Sequence, residues 1–182
     1  ALFAQSNYDH RETFHPQFYP YPGNDFRSAS GEPGSRYWQN RADYAIQCKL
    51  DTATHTLTGD VVITYTNNSP DALRFIWLQL DQNIYTQDAD NKLIEVEKME
   101  DFKSIGDIQK KFFYYDGGFK IESITNTSGV KMKYSVNKTM LRIDLVRPLA
   151  AHSSISFQVK WWYNINDRMA VGGRSGYEYF EK

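Results

Sequence analysis

Four histidines, one cysteine and a few short polar loops are the residues of this chain whose types could do chemistry. A catalytic zinc takes three protein ligands, and the His-Glu-x-x-His motif supplies two of them from one helix face. None of His10, His15, His55 and His152 is followed by Glu, so that motif is absent. His10 and His15 lie five residues apart, a gap that fits no common metal site. His55 opens an apolar face beside a turn, which predicts a half-buried ring, whereas His152 precedes a strand and should be solvated. Cys48 falls on the apolar parity of its strand, which predicts a buried, inert thiol. No Gly-x-Ser-x-Gly elbow offers a serine nucleophile.

Three further stretches invite a chemical role. Asp88-Ala89-Asp90-Asn91 has the opening of a calcium loop but lacks its Gly and closing Glu, so a solvated acidic turn is expected. Gly172-Gly173-Arg174-Ser175-Gly176 could cradle an anion, yet no helix pattern follows it and no Lys holds the phosphate-binding place. It is expected to be a flexible hairpin or an interface loop. Trp161-Trp162 puts one indole on each face of a strand. Trp161 shares the apolar parity and belongs to the core. Trp162 falls on the polar parity and is expected to be covered by the N-terminal arm, a second domain or a ligand such as a sugar ring, or else to stand as an idle exposed ring.

The elements that must position these residues are mostly strands. Tyr44, Ile46, Cys48 and Leu50 alternate with Asp43, Gln47, Lys49 and Asp51. After a short turn, His55, Leu57, Val61, Ile63 and Tyr65 occupy the apolar parity of a second run, giving a long antiparallel hairpin. Asn67-Asn68-Ser69-Pro70-Asp71 is turn chemistry. Leu73 to Leu80 is apolar on both parities, as expected of a strand covered on both faces. Strand patterns resume at 119–125, 131–136 and 140–146, and the clearest alternation is Ile155, Phe157, Val159, Trp161, Tyr163, Ile165. These runs predict an antiparallel β-sandwich. Residues 81–117 break the pattern and read as a long, partly helical insertion. Residues 5–36 concentrate Pro, Gly and scattered aromatic rings without periodicity, so 1–36 reads as a signal remnant and an extended arm. The sandwich domain then runs from 37 to 182. Tyr177 to Lys182 alternates again and reads as a strand cut off at its start, ahead of further polypeptide.

Composition bounds what such a domain can do. At 182 residues and 21.2 kDa, one domain with a tail is expected. Lys and Arg number 21 against 22 Asp and Glu, which excludes a globally basic nucleic-acid binder. A single cysteine excludes an internal disulfide framework and a four-Cys zinc site. No apolar run approaches the ~18 residues of a membrane-spanning helix. Ala1-Leu2-Phe3-Ala4 fits the end of a cleaved secretory signal, so an exported protein, periplasmic or secreted, is expected.

Four blocks occur in order: Tyr37-Trp38-Gln39-Asn40-Arg41-Ala42-Asp43-Tyr44, Thr56-Leu57-Thr58-Gly59, Ile63-Thr64-Tyr65-Thr66-Asn67-Asn68-Ser69-Pro70-Asp71, and Trp77-Leu78-Gln79-Leu80-Asp81-Gln82-Asn83. Together they resemble the N-terminal domain of bacterial zinc aminopeptidases of the aminopeptidase N and leukotriene-hydrolase type, in particular secreted, Bacteroidetes-like members. The resemblance implies a saddle-shaped β-sandwich packed on a thermolysin-like catalytic domain. That catalytic domain carries His-Glu-x-x-His and a downstream Glu, which together bind zinc. The first domain walls the cleft and supplies a Gln or Glu for the substrate's free amine. This chain lacks the zinc motif, so no catalytic or metal-binding residue is carried over onto it. The implied function is a non-catalytic domain, inactive alone and without a cofactor of its own, with zinc in the catalytic domain. Its partners would be that domain of the same polypeptide and, through the whole protein, peptide substrates; nucleic acid is not among them. The candidate interdomain contacts are Trp162, Gly172, Gly173, Arg174, Tyr177 and Tyr179. The rival expectation is a stand-alone sandwich that binds carbohydrate or protein through its aromatics.

Overall fold

The computed structural model describes residues 23–90, 104–106, 116–171 and 176–180. They fall into two compact units, one ending at Gln39 and one beginning at Asn40. In the first unit the chain from Gly23 to Gln39 turns back on itself. The Asn24 side-chain oxygen accepts from the Phe26 and Arg27 amides at 2.9 and 3.0 Å. Arg27 sits over the Tyr37 ring and Arg36 over the Phe26 ring, at 4.9 and 5.1 Å. The rest of the expected arm, up to residue 22, lies outside the described residues.

The second unit is an antiparallel β-sandwich. Its strands are β1 (Arg41–Asp51), β2 (Thr56–Asn67), β3 (Leu73–Gln79), β4 (Lys120–Asn126), β5 (Lys133–Asn137), β6 (Met140–Leu149) and β7 (Ser153–Asn164). One sheet has the order β1-β2-β7-β4 and the other β3-β6-β5. The registers place Val61 opposite Val159 and Ile63 opposite Phe157, so the apolar parity of both strands faces one side. Ile124 of β4 joins them opposite Val159. Ile76, Leu141 and Ile143 face them from the second sheet, and Phe157, Leu141 and Ile143 are wholly buried.

Buried polar side chains close the connections. Asn67 is fully buried at the end of β2, and its amide nitrogen lies 2.7, 3.2 and 3.1 Å from the Asp71, Leu149 and Ala150 carbonyls. Its oxygen accepts from the backbone and hydroxyl of Ser69 at 3.1 and 2.6 Å. One side chain thus ties the 67–71 turn to the end of β6. Asn67→Ala would remove the donor to those carbonyls, the Leu149 one buried, together with the acceptor for Ser69, and is expected to cost about 1–3 kcal/mol in urea unfolding. A loss within experimental error would contradict this.

The insertion is described only in part. Its beginning is a short 3-10 helix, Asp81–Tyr85. Buried Asn83 donates to the Lys138 carbonyl at 2.7 Å and accepts from the Phe119 amide at 2.9 Å. That fixes the β5–β6 turn against the chain entering β4. The helices expected within 92–111 fall almost wholly outside the described residues.

Two expectations need correction. Strand β3 is not covered on both faces, because Phe75 and Trp77 are 39% and 48% exposed. Only the Ile76 side meets the facing sheet. Residues 177–180 do not form a strand either; Tyr177 makes a single bridge to Asp167, and residues 178–180 enter no ladder.

Candidate functional site

The two sheets differ in width, and the site follows from that difference. Tyr44, Ile46 and Leu50 stand opposite Ile63, Val61 and Leu57, on the core side of the first sheet. They are nevertheless 59%, 59% and 57% exposed. The second sheet covers β2, β7 and β4 and leaves β1 overhanging. Cys48, opposite Gly59 on the same face, is therefore exposed and free, which corrects the expectation of a buried thiol.

Beside the overhang lies an open apolar trough of about 410 Å³. Tyr44, Ile46, Trp77, Leu78, Phe119 and Trp161 are among the residues that line it. The Tyr44 phenol is the only titratable group among its lining residues. Such a surface can bind an apolar group, with one phenol as its polar handle. Two of its aromatic residues pack on one another and on Tyr163. Phe119 meets Trp161 edge-on at 5.1 Å, and Trp161 stacks on Tyr163 at 5.7 Å. The indole lies over Gly59, where only a missing Cβ leaves room. Burial, with the Cys48 thiol adding, pushes the Tyr163 phenol above its ordinary range.

A second cluster forms at the β1–β2 turn. His55 sits in the left-handed region at φ 51°. Its ring stacks on Tyr177 at 3.8 Å, and Nε2 lies 2.7 Å from the Tyr179 hydroxyl. Tyr177 is itself held by backbone bonds to Asn166 and Arg168, at 2.9 and 3.1 Å. Arg168 pairs with Glu178 at 3.2 Å. The half-buried His55 ring matches expectation. Its partners more than 120 residues away could not be read from spacing.

The sequence-predicted residues separate accordingly. Tyr177 and Tyr179 meet at His55. Trp162 lies on the outward face of β7, flanked by Thr58 and Lys120, and is partly buried. Gly172, Gly173 and Arg174 fall outside the described residues. Asp88 and Asp90 pair with Lys138 at 3.4 and 3.2 Å, as a solvated turn would. The Thr86 hydroxyl, then Lys138, hold the Asp88 carboxyl below its usual range. Among the described residues no three His, Cys, Asp or Glu side chains come together to hold a metal. No helix there is long and apolar enough to cross a membrane.

No family model and no curated protein matches the chain. Solved structures do. An M1 zinc metallopeptidase mutant from Deinococcus radiodurans, bound to a Tyr-Ser-Ala substrate, is 13% identical with a TM-score of 0.41. The match covers 69% of this chain and 21% of that one. A second structure of an M1 zinc metallopeptidase mutant from Deinococcus radiodurans gives the same values. So does a two-domain M1 zinc metallopeptidase mutant bound to L-tryptophan. The chain thus spans about a fifth of the length of these proteins, as the 21% coverage shows.

Proposed function

We propose that this chain is the non-catalytic N-terminal domain of an exported zinc aminopeptidase. In this role it walls the substrate cleft and docks the catalytic domain of the same polypeptide. The observation that carries the proposal is the ordered set of sequence blocks from Tyr37 to Asn83. Their positions support it. One block contains Gly59, which makes room for Trp161; the next contains buried Asn67 and Ser69; the last contains buried Asn83. The blocks hold residues that close this sandwich, so they describe its architecture rather than a local motif.

The chemistry available on the chain fits a scaffold. The trough and the tyrosine-histidine cluster can bind and shape. Zinc, which would activate water for peptide hydrolysis, is assigned to the catalytic domain and not to this chain. Docking is assigned to Trp162 and to the stretch containing Gly172, Gly173, Arg174, Tyr177 and Tyr179. Contacts with His55 hold Tyr177 and Tyr179 beside the β1–β2 turn.

The test is N-terminal residue release from short peptides by the native gene product purified from its source cells. The expected result is hydrolysis that a chelator abolishes and zinc restores, with none from the 182-residue chain alone. A native product without aminopeptidase activity would overturn the proposal.

A further inference from the structure

Among the described residues strand β1 is the outer strand of its sheet, so one row of its backbone N–H and C=O groups points away from β2. Such an edge is a template for another strand, and charges placed along it decide which strand can join. On β1 the outward face carries Arg41, Asp43, Lys49 and Asp51; the inward face carries Tyr44, Ile46, Cys48 and Leu50. All eight are exposed or nearly so.

We propose that β1 pairs with β1 of a second copy of this chain, antiparallel and centred on Ile46. The strand's own charges argue for that occupant. Antiparallel self-pairing about Ile46 sets Arg41 opposite Asp51 and Asp43 opposite Lys49, and the two-fold axis repeats both pairs. All four charged positions of the strand then face an opposite charge. A slip of two residues one way puts Arg41 opposite Lys49; the other way puts Asp43 opposite Asp51. A slip of one residue sets outward polar positions against inward apolar ones. One register therefore satisfies both faces, and its full-length neighbours fail. On the inward face Ile46 meets its own copy, Tyr44 meets Cys48, and Leu50 meets Ala42. That joins the two overhanging apolar rows into one. Arg41 now bonds Asp43 of its own strand at 2.8 Å, on the exposed surface, and can exchange that partner at little cost. The joined sheet would have eight strands, twice the four of each copy.

The inference does not rest on the peptidase proposal, and its test does not read peptidase activity. Sedimentation of the full-length native product at rising concentration is expected to show a monomer–dimer equilibrium. Lys49→Asp sets like charges opposite at two symmetry-related places and should weaken the dimer at least about tenfold. The exchange Asp43→Lys with Lys49→Asp restores opposite pairing and should return the dimer close to its original strength. Ile46→Cys in a Cys48→Ser background provides a second check that leaves every charge in place. Directly opposed strand residues lie within disulfide reach, so a mild oxidant should link the 46 positions of two copies. A monomer at every soluble concentration would overturn the proposal. So would a dimer that Lys49→Asp leaves unchanged, or one that forms no link through position 46.

Discussion

Replacing Phe157 by Ala is expected to lower the unfolding free energy by about 3–5 kcal/mol. Phe157 is wholly buried in the middle of β7, opposite Ile63, with Leu141 and Ile143 facing it from the other sheet. Removing the ring discards its transfer free energy and leaves a hole lined by β-branched and leucine side chains, which strands of two sheets cannot easily close. Urea unfolding with a two-state fit measures the loss, and Phe157→Leu should give a smaller one. A loss below about 1 kcal/mol for the alanine variant would mean that the sheets do not meet at this residue.

Gly59→Ala comes next, at about 2–3 kcal/mol. This glycine has no left-handed backbone to satisfy; its role is steric. A Cβ there would fall far inside van der Waals contact with the six-membered ring of Trp161. The indole would have to leave its place beside Phe119 and Tyr163, at 5.1 and 5.7 Å, and move toward the open trough. Because the cause is one contact, it can be isolated. Trp161→Leu should be destabilising alone, yet the double variant should lose less than the sum of the two single losses. Strict additivity would show that Gly59 matters for another reason.

Much of the sandwich was legible from alternation. The parity of Ile155 to Ile165 put Phe157 and Val159 inside, and the 67–71 turn fell where polar residues with turn preferences cluster. Parity, however, names a face and not the neighbour that covers it. Cys48 and Ile46 share the core side with Val61, but strand order makes β1 the overhanging edge. Apolar residues on both parities of β3 predict a cover on both faces, yet Phe75 and Trp77 stand exposed. Strand order and sheet width arise from long-range pairing, which no local window contains. The His55 cluster was half legible: the ring's partial burial followed from its place beside a turn, whereas Tyr177 and Tyr179 reach it only through the folded chain. The role of Asn83 was also hidden, because its partners, Lys138 and Phe119, lie on the far side of the insertion.

As proposed above, this sandwich works as one domain of a larger exported polypeptide. The most direct test of that claim is the intact mass of the native gene product in its source cells. The predicted result is a species several times heavier than 21.2 kDa. A native product of about 21.2 kDa would contradict the claim and leave a stand-alone binding domain.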